Sequence, residues 1–177
     1  MRTRRRLALV ACGLGAAAAM STKERLKWRD SVSEMFYHVY DGYKEYAFPH
    51  DELRPISRTH TDSLVELGAS SPTRANYSGI ALTLIDSLDT LAVLGNASEF
   101  TWAVQWISEN VTFDLDIEVS LFETNIRVLG GLLSAHLFAT DERLDLMEPH
   151  GDLATGGYDD ELLKLAVDQK IKLLVLV

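Results

Sequence analysis

The chain has 177 residues, which is enough for one domain with a hydrophobic core and too short for several. Its apolar content of 47% and charged content of 24% fit an ordinary globular protein and not a disordered one. The net charge of −9 argues against a nucleic-acid partner, because the phosphate backbone attracts a basic face.

The first 20 residues differ from the rest in charge and hydropathy. They begin with MRTRRR, contain no acid, and continue as the apolar run LALVACGLGAAAAM, which ends in small side chains. This order is typical of a secretory signal peptide. The run is short for a bilayer span, which needs roughly 20 apolar residues. We therefore expect residues 1–20 to be a signal peptide or a short signal anchor that holds the protein at a membrane if it is not cleaved, and residues 21–177 to be the folded portion.

A mitochondrial presequence is the alternative for this arginine-rich, acid-free start. Three Asn-x-Ser/Thr sequons favour the secretory route and predict glycosylation at Asn76, Asn96 and Asn110. Cys12 is the only cysteine and lies inside the apolar run. A cleaved product would therefore have no disulfide bond and no cysteine metal site.

The rest of the chain indicates four or five helices and no convincing strand alternation. Ser31-x-x-Glu34 resembles a capping box and predicts a first helix from near Ser31 to the loop at Pro49. Residues 56–76 are polar, with Gly, Ser and Pro near their end, and are predicted to form a loop. Further helices are predicted over about 77–94, 98–111 and 119–138, and from Asp159 onward. This recurrence of helix and loop predicts an all-α array.

The stretch VSLFETNIRVLGGLLSAH, residues 119–136, is apolar on nearly all sides except for one narrow strip. The strip contains Glu123, Arg127, a glycine of the pair at 130–131, and Ser134. One interpretation is a surface Glu–Arg pair four residues apart, worth ~0.3–0.5 kcal/mol, with glycines that allow close helix packing. The other is a charged strip facing an internal cavity, which would compensate for two glycines that cost about 1 kcal/mol each in a helix. The pattern favours neither.

The segment LTLIDSLDTL repeats this pattern, with Asp86 and Asp89 among leucines. A carboxylate in such surroundings is paired or lies at a helix end, so Asp89 is expected to stabilise the helix or to form a buried hydrogen bond. For Asp86 the same two alternatives, pairing or a position at a helix end, stay open. Acids on two apolar helices suit a carboxylate-lined cavity for glycoside hydrolysis, although spacing alone does not establish one. The five histidines show no His-x-x-x-His pattern and are predicted to be solvated or structural: His38, His50, His60, His136 and His150.

Three segments in order resemble glycoside hydrolase family 47, the class I α-1,2-mannosidases. They are YDGYKEYAFPHDELRP, NYSGIALTLIDSLDTLAVLGNASEF and VSLFETNIRVLGGLLSAHLFA, and the likeness is strongest to the ER degradation-enhancing α-mannosidase-like branch. The resemblance covers about residues 32–168, apart from the loop at 56–75. It implies an all-α fold, a partial (α/α)7 barrel, of which this chain supplies the first four to five helices, with the active site in the barrel core.

The resemblance also implies roles for four residues. Glu123 matches the family's general acid, and Arg127 matches the arginine one turn on that helps to hold the sugar. Asp86 and Glu52 match acids of the core or its rim. Arg127, Asp86 and Glu52 are therefore all expected to bind substrate. A calcium ion is implied as cofactor, but its threonine ligand would lie beyond Val177, so no metal ligand is expected in this chain.

The activity that the resemblance implies is trimming of α-1,2-linked mannose from Man8–9 N-glycans of misfolded glycoproteins for ER-associated degradation. The implied location is the ER lumen or membrane. The implied partners are these high-mannose glycans, together with ER chaperones or the degradation machinery. The second catalytic carboxylate would also lie beyond Val177, so we expect the chain alone to be truncated and inactive. The alternative is a non-catalytic module that binds mannose glycans or misfolded clients.

Overall fold

The computed structural model of the chain describes residues 20–66, 77–115, 117–149 and 151–175. The helices are α1 (Thr22–Tyr46), α2 (Ser63–Glu66), α3 (Leu82–Val93), α4 (Ala97–Asn110), α5 (Leu121–Glu123), α6 (Gly130–Ala139) and α7 (Glu161–Val175). A π-helix, Thr124–Leu129, joins α5 to α6, and a 3-10 turn, Leu153–Thr155, precedes α7. Strand β1 (Glu52–Arg54) pairs antiparallel with β2 (Thr59–Thr61), and β3 (Glu148–Pro149) pairs parallel with β4 (Gly157–Tyr158). The predicted signal peptide lies outside the described residues, apart from Met20.

Helix α3 is the centre of the hydrophobic core. It packs against α4 and against α6. Its leucines at 82, 84, 88 and 91 are fully buried, as are Phe100 and Ile107 of α4 and Leu132 of α6. Helix packed on helix is the arrangement that the all-α prediction requires. Among the described residues, no helix is both long enough and apolar enough to cross a membrane.

The first helix begins nine residues before the predicted start. Its capping box uses Ser21, whose hydroxyl accepts from the Glu24 N–H at 3.3 Å, while the Glu24 carboxylate accepts from the Ser21 N–H at 3.0 Å. The prediction of a cap at Ser31 is wrong, because Ser31 lies inside α1. Residues 22–30 contain no glycine or proline, so nothing in them stops the helix from extending outward.

Two further predictions need correction. The segment 56–76 is not all loop, since β2 and α2 lie within it, while residues 67–76 lie outside the described residues. The strands have only two or three residues, too few for an alternating pattern to appear in the sequence. The helix predicted from residue 77 begins only at Leu82, because Gly79 and Ala81 have positive φ angles of 85° and 55°.

Candidate active site

The helix predicted over 119–138 contains a π-helical turn at Thr124–Leu129. Such turns are rare and occur frequently at functional sites. In a regular α-helix, residues four apart lie on one face. Arg127 lies in this turn four residues after Glu123, but its side chain bonds Asp86 and Glu52 on other elements of the fold. The interpretation of a Glu123–Arg127 surface pair is therefore wrong.

Arg127 joins two carboxylates that are far apart in the sequence. Its Nε and Nη2 donate to Asp86 Oδ2 at 2.9 and 2.6 Å, and Nη2 also donates to Glu52 Oε1 at 3.0 Å. The cluster therefore unites the π-helix with α3 and β1. The Arg127 side chain is 21% exposed, whereas those of Glu52 and Asp86 are each 34% exposed. A polar ligand can therefore reach the carboxylates from solvent.

The electrostatics of this cluster depend on burial as well as on pairing. Burial raises the pKa of Asp86 above its ordinary value, and the Arg127 guanidinium opposes this rise. The negative charges of Glu52 and Glu123 raise the Asp86 pKa further, so Glu123 acts on the same cluster. Burial tends to lower the pKa of Arg127, but its hydrogen bonds to Asp86 and Glu52 raise it overall.

The structure therefore brings Glu52, Asp86 and Arg127 into direct contact. Glu123 lies within their electrostatic reach, but in the described part of the chain its carboxylate makes no hydrogen bond to them. Glu123 is half-buried, and its backbone N–H is capped by the Ser120 hydroxyl at 3.4 Å. Of the two charged residues of the predicted strip, Arg127 is paired with acids of other elements and Glu123 is not bonded to them.

The other polar and small residues on these helices serve packing. A Cβ at Gly131 would lie 3.1 Å from Ile85 Cγ2 and 3.6 Å from the Ile85 carbonyl oxygen, so α6 approaches α3 closely at this glycine. Asp89 Oδ2 accepts from the Ser134 hydroxyl at 2.7 Å, which confirms the hydrogen-bonding role expected for Asp89. Close helix packing is therefore the correct interpretation for Gly131.

Sequence reasoning gave no role to Asp51, the residue before Glu52. Its side chain is fully buried. It accepts hydrogen bonds from the backbone N–H groups of Leu64, Ile80 and Leu82 and from the Tyr77 hydroxyl, at 2.7 to 3.4 Å. Burial raises the Asp51 pKa, although these hydrogen bonds oppose the rise. Asp51 fixes the loop before β1 to the start of α3 and so places Glu52 beside Asp86.

Among the described residues, no group of three acidic side chains lies close enough together to hold the implied calcium ion. Calcium takes six to eight oxygen ligands. Within the described ranges, the one group of three possible metal ligands is His50, His60 and Asp62, which offers two imidazoles and one carboxylate. This donor set is unsuited to calcium. The placement of the calcium ligand beyond Val177 stays a prediction.

Two of the predicted glycosylation sites lie at the ends of α4. Asn96 caps the helix, accepting from the Glu99 N–H at 3.2 Å and donating from Nδ2 to the Tyr37 hydroxyl at 2.9 Å. Asn110 is the last residue of α4 and is exposed. Asn76 lies outside the described residues. Asn110 is more accessible than the half-buried Asn96, and glycosylation at all three stays a prediction.

This arrangement, an array of packed helices that presents acids and an arginine together, agrees with a comparison against known families. The model of glycosyl hydrolase family 47 matches residues 35–176. The chain belongs to glycosyl hydrolase family 47. The family resemblance found in the sequence is therefore confirmed.

Individual relatives place the chain more closely. It is 52% identical over 149 residues to "Alpha-mannosidase I MNS5" of Arabidopsis thaliana, covering 82% of this chain and 24% of that protein. It is 50% identical over 112 residues to "ER degradation-enhancing alpha-mannosidase-like protein 2" of Mus musculus, covering 63% and 17%. Among solved structures, it matches an α-1,2-mannosidase from Trichoderma reesei with a TM-score of 0.58 and 27% identity, covering 82% and 27%.

These comparisons also bear on the fold. The chain spans about a quarter or less of the curated relatives it matches, 24% and 17% in the two cases given. Together with the predominance of helix and the likeness to the fungal enzyme, this confirms the predicted fold class, an all-α chain that forms part of an (α/α) barrel.

Proposed function

We propose that this chain is the opening part of an ER α-mannosidase that trims α-1,2-linked mannose from Man8–9 N-glycans of misfolded glycoproteins for degradation. The observation that carries the proposal is the cluster of Arg127 with Glu52 and Asp86, next to Glu123. Relatives named as α-mannosidases, two of them with the endoplasmic reticulum in their names, support it. ER chaperones or the degradation machinery are its further expected partners.

The paired part of the site is suited to holding a sugar. Sugar hydroxyls both donate and accept, so a guanidinium beside carboxylates can satisfy both needs. The side chains of Glu52 and Asp86 are partly exposed, and carboxylate oxygens can accept from hydroxyl groups. Within the described residues, Arg127 Nη1 makes no hydrogen bond and is free to donate to a ligand. We assign substrate binding to these three side chains.

The unpaired acid is suited to proton transfer. A glycosidase needs a carboxylic acid that protonates the leaving oxygen. Asp86 and Glu52 each accept hydrogen bonds from the Arg127 guanidinium, so both carboxylates are already engaged by a cation. Within the described residues, the Glu123 carboxylate makes no hydrogen bond to Arg127, so we assign the role of general acid to Glu123.

A second carboxylate must act on the opposite face of the sugar, about 6.5–9.5 Å from the first in an inverting enzyme. Because Glu52 and Asp86 are both bound to Arg127, neither is assigned that role. We therefore propose that residues 1–177 alone release no mannose. The longer protein would supply the second carboxylate.

The test is release of mannose from a Man9 glycan by a full-length family 47 protein that contains this segment. Glu123→Gln should lower the rate by about 100-fold or more while the glycan still binds, because only the proton donor is lost. The matched control is Glu118→Gln, an exposed glutamate in the segment before α5, which should leave the rate unchanged. Full activity in Glu123→Gln would refute the assignment. Binding without trimming by the unsubstituted protein would instead favour the non-catalytic module.

A further inference from the structure

His50, His60 and Asp62 meet at the base of the β1–β2 hairpin. His50 precedes β1, His60 lies on β2 opposite Leu53, and Asp62 follows β2. One ligand atom from each side chain lies within 4.8 Å of the other two. The sequence does not suggest this group, because the hairpin alone brings residue 50 next to residues 60 and 62.

Two of the three ligands lie close to the spacing that a metal ion requires. His50 Nδ1 lies 3.1 and 3.2 Å from the two carboxylate oxygens of Asp62. Ligands about 2.0–2.2 Å from a tetrahedral zinc ion lie about 3.3–3.6 Å from one another. An ion that replaces the shared proton therefore needs this pair to open by only a few tenths of an ångström.

The same two ligands are fixed by contacts that do not involve a metal. Asp62 Oδ1 accepts from the Asp51 N–H at 3.2 Å, and the His50 carbonyl accepts from the Tyr43 hydroxyl at 2.7 Å. The side chains of His50 and Asp62 are only 27% and 19% exposed. They form a half-buried, preorganised pair, which lowers the cost of ordering them on binding.

The third ligand is less constrained, since His60 is exposed. Its ring stacks on that of His50, with centroids 3.4 Å apart and an angle of 4° between the planes. The lone pairs of two parallel rings lie in two separate parallel planes and do not meet at one ion, so His60 must turn about its side-chain torsions to join the pair. Because it is exposed, this rotation meets little resistance.

We propose that His50, His60 and Asp62 bind one zinc ion, with water completing a four-coordinate sphere. Two imidazoles and one carboxylate suit zinc and other divalent transition metals, whereas calcium requires more oxygen ligands. The ion links the two ends of the β1–β2 hairpin. Because Asp51 and Glu52 lie directly after His50, it also braces the loop that presents Glu52 to Arg127.

The experiment is a calorimetric titration of the metal-free 177-residue chain with zinc chloride, accompanied by the visible spectrum with cobalt. We expect one ion per chain and the absorption of four-coordinate cobalt. His60→Gln and Asp62→Asn should each weaken zinc binding by about 10-fold or more. Both should fold, since His60 is exposed and an asparagine oxygen can still accept from the Asp51 N–H, and circular dichroism checks this.

The matched control is His38→Gln, an exposed histidine on α1 outside the cluster, which should bind zinc as the unsubstituted chain does. Absence of zinc binding in the folded chain would overturn the proposal. So would zinc binding that survives both His60→Gln and Asp62→Asn, or equally tight binding of calcium. These results are independent of mannose release, so the zinc site and the proposed enzyme activity can fail separately.

Discussion

Asp51 and Glu52 are neighbours in the sequence but have opposite surroundings in the fold. The Asp51 carboxylate is fully buried and accepts four hydrogen bonds, whereas the Glu52 side chain is 34% exposed and shares a single cation with Asp86. A carboxylate whose lone pairs are all used holds the structure together. A carboxylate with unused lone pairs and access to solvent can bind a ligand. The loop thus builds a structural anchor and a candidate binding group from adjacent residues.

The strongest test of this difference is Asp51→Asn, compared with Glu52→Gln. All four partners of the Asp51 carboxylate are donors, whereas an asparagine side chain has one acceptor oxygen and one NH2 group. In either orientation, the NH2 group therefore faces donors that have lost their acceptor. We expect the free energy of unfolding to fall by about 2–4 kcal/mol. Glu52→Gln, at a half-exposed ion pair, should lower it by about 1 kcal/mol or less. Urea denaturation measures both, and equal losses would remove the distinction between anchor and binding group.

A second test uses two glycines with positive φ. A Cβ at Gly79 would lie 2.9 Å from the Asp51 backbone nitrogen and from His50 Cα, whereas a Cβ at Gly95 meets nothing within 4 Å. Gly95→Ala should lower the free energy of unfolding by only about 1 kcal/mol, because alanine disfavours the left-handed backbone conformation. Gly79→Ala adds a clash with the backbone next to Asp51, so the free energy of unfolding should fall by about 2–4 kcal/mol in total.

Thermal unfolding of the two glycine variants, followed by circular dichroism, gives the comparison. The Gly95→Ala chain should melt above the Gly79→Ala chain. If the order were reversed, the close approach of residue 79 to the Asp51 loop would not be important for stability, and the anchor would be weaker than its hydrogen bonds indicate.

Local features of the fold were accessible from the sequence. Helical periodicity predicted α4 within about one residue of its ends and the helix around Arg127 within about two. Family resemblance assigned Glu52, Asp86 and Arg127 to one site, and the structure brings these three together. Both kinds of information reside in short, continuous segments.

The features that periodicity does not reveal depend on contacts between distant segments. Arg127 bonds Glu52 from 75 residues away, and Asp51 accepts from backbone groups 13 to 31 residues further along the chain. The His50–His60 stack requires the turn between β1 and β2. No periodic pattern within one segment encodes such contacts, since they follow from packing. The Glu123–Arg127 pair inferred from helical spacing is wrong for the same reason, because Arg127 bonds Asp86 and Glu52 on other elements.

The smallest expected effect concerns the candidate binding cluster of Arg127, Glu52 and Asp86. The Arg127 guanidinium opposes the rise that burial causes in the Asp86 pKa, so Arg127→Met should raise that pKa further. A carboxyl group with a raised pKa in the folded state favours folding below its unfolded pKa, about 3.9, and this contribution is lost as the pH rises through the folded value. The variant should therefore lose more stability than the unsubstituted chain between about pH 4 and about pH 7.

Because a third of the Asp86 side chain is exposed, the extra loss should be only about 1 kcal/mol or less. Carboxyl NMR gives the pKa directly, and urea denaturation at the two pH values gives the stability. Arg143→Met is the matched control, since Arg143 pairs with Asp141 on an exposed turn and should leave the Asp86 pKa unchanged. A fall in the Asp86 pKa on losing Arg127 would mean that burial does not govern this carboxyl group, and Asp86 would then resemble an ordinary surface acid more than part of a sugar site.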